Sequence, residues 1–213
     1  MRLLNIAALV EGLMLGGFAM QHHKTSRPAS GAEHQFSHLW DMQHHTHEGH
    51  APSHGAKVGI ATLAVTAFYE ALLDMDLSQI NADALAAAWP DDTTWLARAE
   101  ARFTDPELLA VARRELAAKA VTRDELRAQL KRLQTVWPDL RTRLNRQLLP
   151  LPDLKQRLQT AGAPVEPEQI GISRARLRDS FHAAYFVRRR FTVLDLAMRA
   201  GVFESALQRI LPS

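Results

Sequence analysis

The chain has no cysteine among its 213 residues, which excludes disulfide scaffolds, thiolate metal sites and cysteine nucleophiles and fits a reducing compartment. Aromatic residues make up only 7% and are not interleaved with the arginines, so a base-stacking platform for nucleic acid is missing. No stretch alternates apolar and polar residues between hairpin turns, so strands are not expected. No repeat of fixed length appears, and no dinucleotide-binding glycine fingerprint follows a strand. The remaining composition, 46% apolar and 23% charged, is that of a soluble globular protein long enough to bury a core.

Histidine is present in unusual concentration. Nine of the ten histidines fall between His22 and His54, and the tenth is His182. Charge is uneven as well. Residues 1–97 hold four Lys/Arg against ten Asp/Glu, a net of −6, and residues 98–213 hold 22 against 13, a net of +9. In the basic half the arginines alternate with Glu, Asp and Leu at helical spacing, which describes solvated helix faces and not a nucleic-acid surface.

Arg2 opens an apolar run, LLNIAALVEGLMLGGFAM, from Leu3 to Met20. Glu11 lies at its centre, where a carboxylate in a bilayer costs roughly 2.5–3.5 kcal/mol, and the run is at the short limit for a crossing. Apolar on all sides, with Gly12, Gly16 and Gly17 permitting close approach, it is expected to be a helix buried against others, with no membrane span. Further helices are expected from about Ala32 to Gln43 and from His54 to about Met75. Asp105-Pro106 starts another that runs to about Ala118, and the Thr122/Glu125 capping pair opens the next. Trp137-Pro138 is expected to break that helix, Pro150 and Pro152 to end the one after, and Gly162 to close another. Ser173 caps a helix through Val187, Thr192 caps a short one, and Gly201 separates the last. The expectation is an all-α helical bundle, with Pro90 to Asp92 and Leu149 to Pro152 as hinges between helices.

On the Ala32–Gln43 helix, His34 and His38 are four apart and leave the same face, which Asp41 extends. His54 begins the next long helix after a polar loop, so His34 and His54 can meet; neutral imidazoles suit zinc, iron or nickel. His44, His45, His47 and His50 read as a solvated loop. His22 and His23 read as the end of the first helix, and His182 as core or surface. Ser26, Arg27, Ser30 and Gly31 lead into a helix N-terminus, where an anion can meet free N–H groups or where Ser30 simply caps.

The run SRPASGAEHQFSHLWDM, followed by SHGAKVGIATL, resembles the metal-binding half of the sn-glycerol-1-phosphate dehydrogenases, within the iron-containing alcohol dehydrogenase and dehydroquinate synthase-like group. The likeness extends from about Ile6 to Met75, a third of the chain. GAEH and HG, twenty residues apart, carry it together. The resemblance implies an NAD(P)-dependent, cytoplasmic enzyme interconverting dihydroxyacetone phosphate and sn-glycerol 1-phosphate, and a possible homo-oligomer. It implies a zinc or nickel ion held by an aspartate and two histidines, which fall here on His34 and His54. His38 is then placed either to contact substrate or relay a proton, or to support the ligands from behind. The Ser26, Arg27 and Ser30 segment would meet the phosphorylated substrate, and Lys57 would either meet it too or face solvent.

Residues 1–213 are thus expected to form one helical metal-binding domain, with the metal-site helices in 1–76 and a helical C-terminal part in 77–213. The family's nucleotide-binding domain and aspartate ligand have no counterpart in the sequence, so no cofactor-binding residues are assigned. The expected consequence is a truncated chain, inactive alone, whose uncovered apolar run promotes self-association. The competing expectation is a stand-alone helical metal-binding or interaction module without catalysis.

Overall fold

A computed structural model of the chain describes residues 3–212, with side chains from residue 6 onward; Arg2, read as opening the apolar run, lies outside the described residues. Eleven α-helices are present among them: α1 (Leu3–His23), α2 (Ala32–Met42), α3 (His54–Leu73), α4 (Ala82–Ala87), α5 (Asp92–Arg102), α6 (Pro106–Ala117), α7 (Arg123–Gln147), α8 (Leu151–Thr160), α9 (Arg174–Phe186), α10 (Val193–Arg199) and α11 (Phe203–Ile210). No strand occurs among the described residues; a single antiparallel bridge joins His47 and His50. The fold is all-α, as the helical periodicity requires.

Local chemistry sets most boundaries. Asp105 accepts from the Leu108 N–H at 2.8 Å with Pro106 in the first turn of α6, and Thr122 and Glu125 form a reciprocal capping box on α7. Ser53 and Ser173 cap α3 and α9. Gly162 and Gly201, at φ of +73° and +71°, follow α8 and α10 in the left-handed conformation that glycine adopts without a Cβ clash.

The core is built around α2, α3, α9 and α11. Phe181 of α9 lies with its ring centroid 4.8 Å from Phe36 of α2 and 5.2 Å from Phe68 of α3; Phe68 in turn lies 5.5 Å from Phe203 of α11. Trp40 donates its indole N–H to Ser180 Oγ at 2.9 Å, fixing α2 against α9. Among the described residues α3 is long and apolar enough to cross a membrane, but half of it is buried inside the bundle, where its apolar residues pack. In the second half of the chain, Lys119 is buried between the Tyr185 ring and the Asp195 carboxylate, 2.9 Å away, tying the end of α6 to α9 and α10. Burial keeps its pKa below the usual lysine value despite Asp195.

Three expectations change. The first apolar run is helical but not buried: Leu9, Leu13, Leu15 and Phe18 remain 57–68% exposed, and no described α1 side chain joins the core that begins at Ala32. With apolar residues on every side, α1 cannot be satisfied by one groove; it rests against the turn Arg27–Ala29 and leaves the rest uncovered. Pro138 does not break α7, which continues to Gln147. Its exposed ring costs one backbone bond, while the buried face on both sides of it, Leu126, Leu130, Leu133 and Trp137, runs on to the half-buried Leu140 and Leu144. Trp137 is anchored there, donating to the Met75 carbonyl at 3.2 Å. Pro150 and Pro152 start α8 and do not end a helix, a position where the missing N–H of proline has no helical partner to lose.

Candidate functional site

The candidate site lies where the start of α2 passes the start of α3. Glu33 accepts from the Gly31 N–H at 2.7 Å, holding the first turn of α2, and the same carboxylate oxygen lies 2.7 Å from His34 Nδ1. With Nδ1–H donating to Glu33, His34 keeps its Nε2 lone pair free. On α3, His54 Nδ1 lies 3.2 Å from Ser37 Oγ, so a bond from α2 orients the ring that begins α3. The two imidazole centroids are 5.4 Å apart. Two histidines bound through Nε2 to one tetrahedral zinc, at about 2.0–2.1 Å each, have centroids about 5 Å apart. The pair therefore has the separation of two ligands to one ion. Among the described residues no group of three or more His, Asp or Glu converges on a shared ion. Two neutral imidazoles are of the donor type that suits a divalent metal, and they are fewer than the four ligands of a tetrahedral site.

The neighbouring carboxylates are engaged. Asp41, which extends the histidine face, is paired with the buried ammonium of Lys57. Lys57 therefore fastens α2 to α3 from the inside. Ser26 and Ser30 are drawn together by Arg190, whose guanidinium donates to Ser26 Oγ at 2.6 Å and to the Ser30 carbonyl at 3.1 Å. The Arg27 side chain is exposed in the same turn. At the N-terminus of α2, the Glu33 carboxylate already holds the Gly31 N–H.

His38 has its ring centroid 6.4 Å from that of His34 and lines a groove with Met42, Glu115 and Arg188. Burial, then the nearby charges of Arg188 and His34, hold its pKa below the ordinary histidine value, outweighing Asp41. A neutral ring beside the pair is suited to accepting or passing a proton.

The loop histidines are structured. His45 is buried; its Nε2–H donates to the Ile170 carbonyl at 2.6 Å while Arg176 donates to Nδ1 at 2.8 Å. His47 and His50 exchange backbone bonds of 2.8 and 3.0 Å around Glu48 and Gly49, both at positive φ, as in a type I′ turn. The solvated reading thus fails at His45, because the loop is pinned to the turn before α9. His22 and His23 do end α1, and His182 is half-buried with its ring 5.2 Å from that of Phe203. The bonds by which Glu33 and Ser37 orient His34 and His54, and the places of Arg188 and Arg190, were not anticipated. Glu33 and Ser37 flank the histidines in sequence, and Arg188 to Arg190 form an arginine triplet just past a helix end, so each had a visible signal.

The geometry defines an all-α scaffold presenting a paired-imidazole face. Seven curated proteins resemble the chain, and all are glycerol-1-phosphate dehydrogenases, in agreement with the resemblance drawn from the GAEH and HG segments. The enzyme named glycerol-1-phosphate dehydrogenase [NAD(P)+] from Halalkalibacterium halodurans is 48% identical over 65 residues, 30% of this chain and 16% of that protein. Its namesake from Geobacillus stearothermophilus is 29% identical over 190 residues, 89% of this chain and 37% of the relative. One from Methanococcus maripaludis is 35% identical over 82 residues, 37% of this chain and 25% of the relative. The chain spans between about a sixth and a little over a third of the length of these relatives. No family model matches the chain, and no solved structure does.

Proposed function

We propose that this chain supplies the metal-binding and substrate-facing helices of an NAD(P)-dependent glycerol-1-phosphate dehydrogenase. The observation that carries this reading is the separation of His34 and His54, with Glu33 and Ser37 bonded to their Nδ1 atoms and both Nε2 atoms left for a metal. The likeness to proteins of that name supports the reaction class. His34 and His54 would hold a zinc or nickel ion, which would supply a Lewis acid for a ketone oxygen and the corresponding alkoxide. Glu33 fixes the His34 tautomer, Ser37 aims His54, and the Lys57–Asp41 pair sets the spacing of the two helices that carry them. His38 is the neutral group beside them, placed for a proton at the substrate oxygen.

The remaining metal ligand and the nicotinamide site belong, in this proposal, to polypeptide outside the described helices, since no strand occurs among them to build a nucleotide-binding sheet. Equilibrium dialysis with zinc or nickel tests the ligand assignment. The expected result is one ion lost in the His34→Ala/His54→Ala double variant and retained when His44, His47 and His50 are replaced. The reverse pattern assigns the ion to the loop and overturns the reading. Metal uptake through His34 and His54 without reduction of dihydroxyacetone phosphate, once a nucleotide-binding segment is supplied, would leave a metal-binding module and refute the catalytic part.

A further inference from the structure

Away from the imidazole pair, a second cavity lies where the end of α2 meets α5 and α9. Ring contacts close α5 onto the end of α9: Trp95 lies 5.3 Å from Tyr185 and Phe103 lies 6.1 Å from Phe186, centroid to centroid. Beside that stack the two helices and Gln43, the residue that follows α2, enclose about 330 Å³, within the range of small-ligand pockets. The walls are basic. Arg98 and Arg102 are four apart on α5 and so share a face, and Arg176 comes from α9. Asp179 is the one carboxylate in the lining, so three guanidinium groups stand against one negative charge, a net of +2. Phe103 and Ala183 supply a buried apolar part of the lining.

The fold does not neutralise these three cations. Arg98 lies over the Trp95 ring, 4.8 Å from its centroid, and the Arg102 side chain makes no hydrogen bond or ion pair among the described residues. Arg176 is half-buried and donates to two uncharged groups, His45 Nδ1 at 2.8 Å and Gln43 Oε1 at 3.2 Å. Burial holds its pKa below the usual arginine value. Asp179 forms no ion pair with any of the three among the described residues; its charge, like that of Arg102, acts on the neighbouring His182. Three like charges around one hollow repel each other. An anion with two or more charged groups relieves that repulsion and meets the guanidinium forks in the geometry they favour. We propose that this cavity binds a small multivalent oxyanion, of the size of citrate or pyrophosphate, held between Arg102 and Arg176 with Arg98 beside it. The cavity is separate from the imidazole pair. Gln43 follows His34 by nine residues, roughly 13 Å of helical rise, so the two sites lie at opposite ends of α2.

Calorimetric titration with citrate and with pyrophosphate tests this, at constant ionic strength and on the chain freed of metal so that no heat comes from chelation. Arg102→Gln is expected to lower affinity roughly tenfold with little change in melting temperature, because that side chain bonds to nothing in the fold. Asp179→Asn removes the opposing charge and is expected to raise affinity several-fold, an outcome that misfolding does not produce. Arg132→Gln removes the same charge from an exposed position on α7 and is expected to bind as the parent does. The His34→Ala/His54→Ala variant is expected to do so too, whether or not those imidazoles hold a metal. Tighter binding of citrate assigns a polycarboxylate and tighter binding of pyrophosphate a polyphosphate, and either supports the site. No measurable binding of either anion, unchanged affinity in both Arg102→Gln and Asp179→Asn, or an equal loss in Arg132→Gln would each overturn the proposal. Loss of binding in the double histidine variant would place the anion at the imidazole pair and overturn it as well.

Discussion

Phe181 is the side chain on which the site's geometry depends, although it lies behind it. It is fully buried and touches α2 through Phe36 at 4.8 Å and α3 through Phe68 at 5.2 Å, the two helices that carry His34 and His54. Phe181→Ala removes a buried ring at a cost of about 3–5 kcal/mol, including the void left between three helices. The two edge or tilted ring contacts, at ~0.5–1.5 kcal/mol each, place the expected value toward the upper part of that range. Against a total stability of about 5–15 kcal/mol, the variant is expected to stay folded but with a much lower denaturation midpoint. Urea unfolding followed by circular dichroism gives the difference, and a constant slope shows that the same surface is exposed. Zinc affinity, measured on the folded variant at low denaturant, is expected to fall with it, because the imidazole separation is set by how α2 and α3 dock. A loss below about 1.5 kcal/mol at unchanged slope would refute the claim that this ring joins the helices. Unchanged zinc affinity together with a large stability loss would show that Ser37, Asp41 and Lys57 hold the pair without the core.

Two further outcomes follow from buried and exposed groups away from the pair. His45 is held neutral in the fold, its pKa pushed below the ordinary 6.5 by burial and then by Arg176, against the opposing bond to Ile170. The unfolded chain takes up a proton there that the native chain refuses. The contribution of His45 is therefore present above pH 6.5 and is lost as pH falls through that value toward the lower native pKa. Denaturation midpoints measured between pH 7.5 and 5 should fall more steeply for the parent than for His45→Gln, and parallel curves would refute the assignment. The uncovered α1, with Leu13 at 68% and Leu15 at 60% exposure, should drive concentration-dependent association. Light scattering of the parent against a Leu9→Lys/Leu13→Lys/Phe18→Lys variant checks this, and identical masses at all concentrations would count against it.

The sequence was most informative where one residue type has one local use. Asp105 before Pro106, Thr122 with Glu125, and Gly162 and Gly201 each mark a helix boundary, because the demand they satisfy is confined to a single turn. Pro138 shows the limit of that logic. The local rule breaks the helix, but the apolar positions Leu126, Leu130, Leu133, Trp137, Leu140 and Leu144 keep a spacing of four and three straight through it, and burial of that stripe outweighs one absent bond. The stripe was legible all along; its weight relative to proline was not. For α1 the opposite holds. Apolar content indicates that a helix wants cover, but whether cover exists depends on which other surfaces are offered, and composition carries no such information.

The site divides along the same line. That His34, His38 and His54 lie together was legible, because helical spacing and the resemblance both act on residue type. Which ring nitrogen is free was not, since that depends on Glu33 and Ser37 being within 2.7 and 3.2 Å after folding. The role of Lys57 turned in the same way. One turn into α3, a lysine can face solvent, substrate or a neighbouring helix with equal local propriety, and only the packing of α2 chooses Asp41 as its partner. Among Arg188, Arg189 and Arg190 the sequence gives three equal cations. Long-range partners separate them: Glu115 is 74 residues from Arg189 and Ser26 is 164 residues from Arg190. Arg188, by contrast, donates no side-chain hydrogen bond to a described residue, so the three differ through partners far along the chain and not through any mark in their own segment.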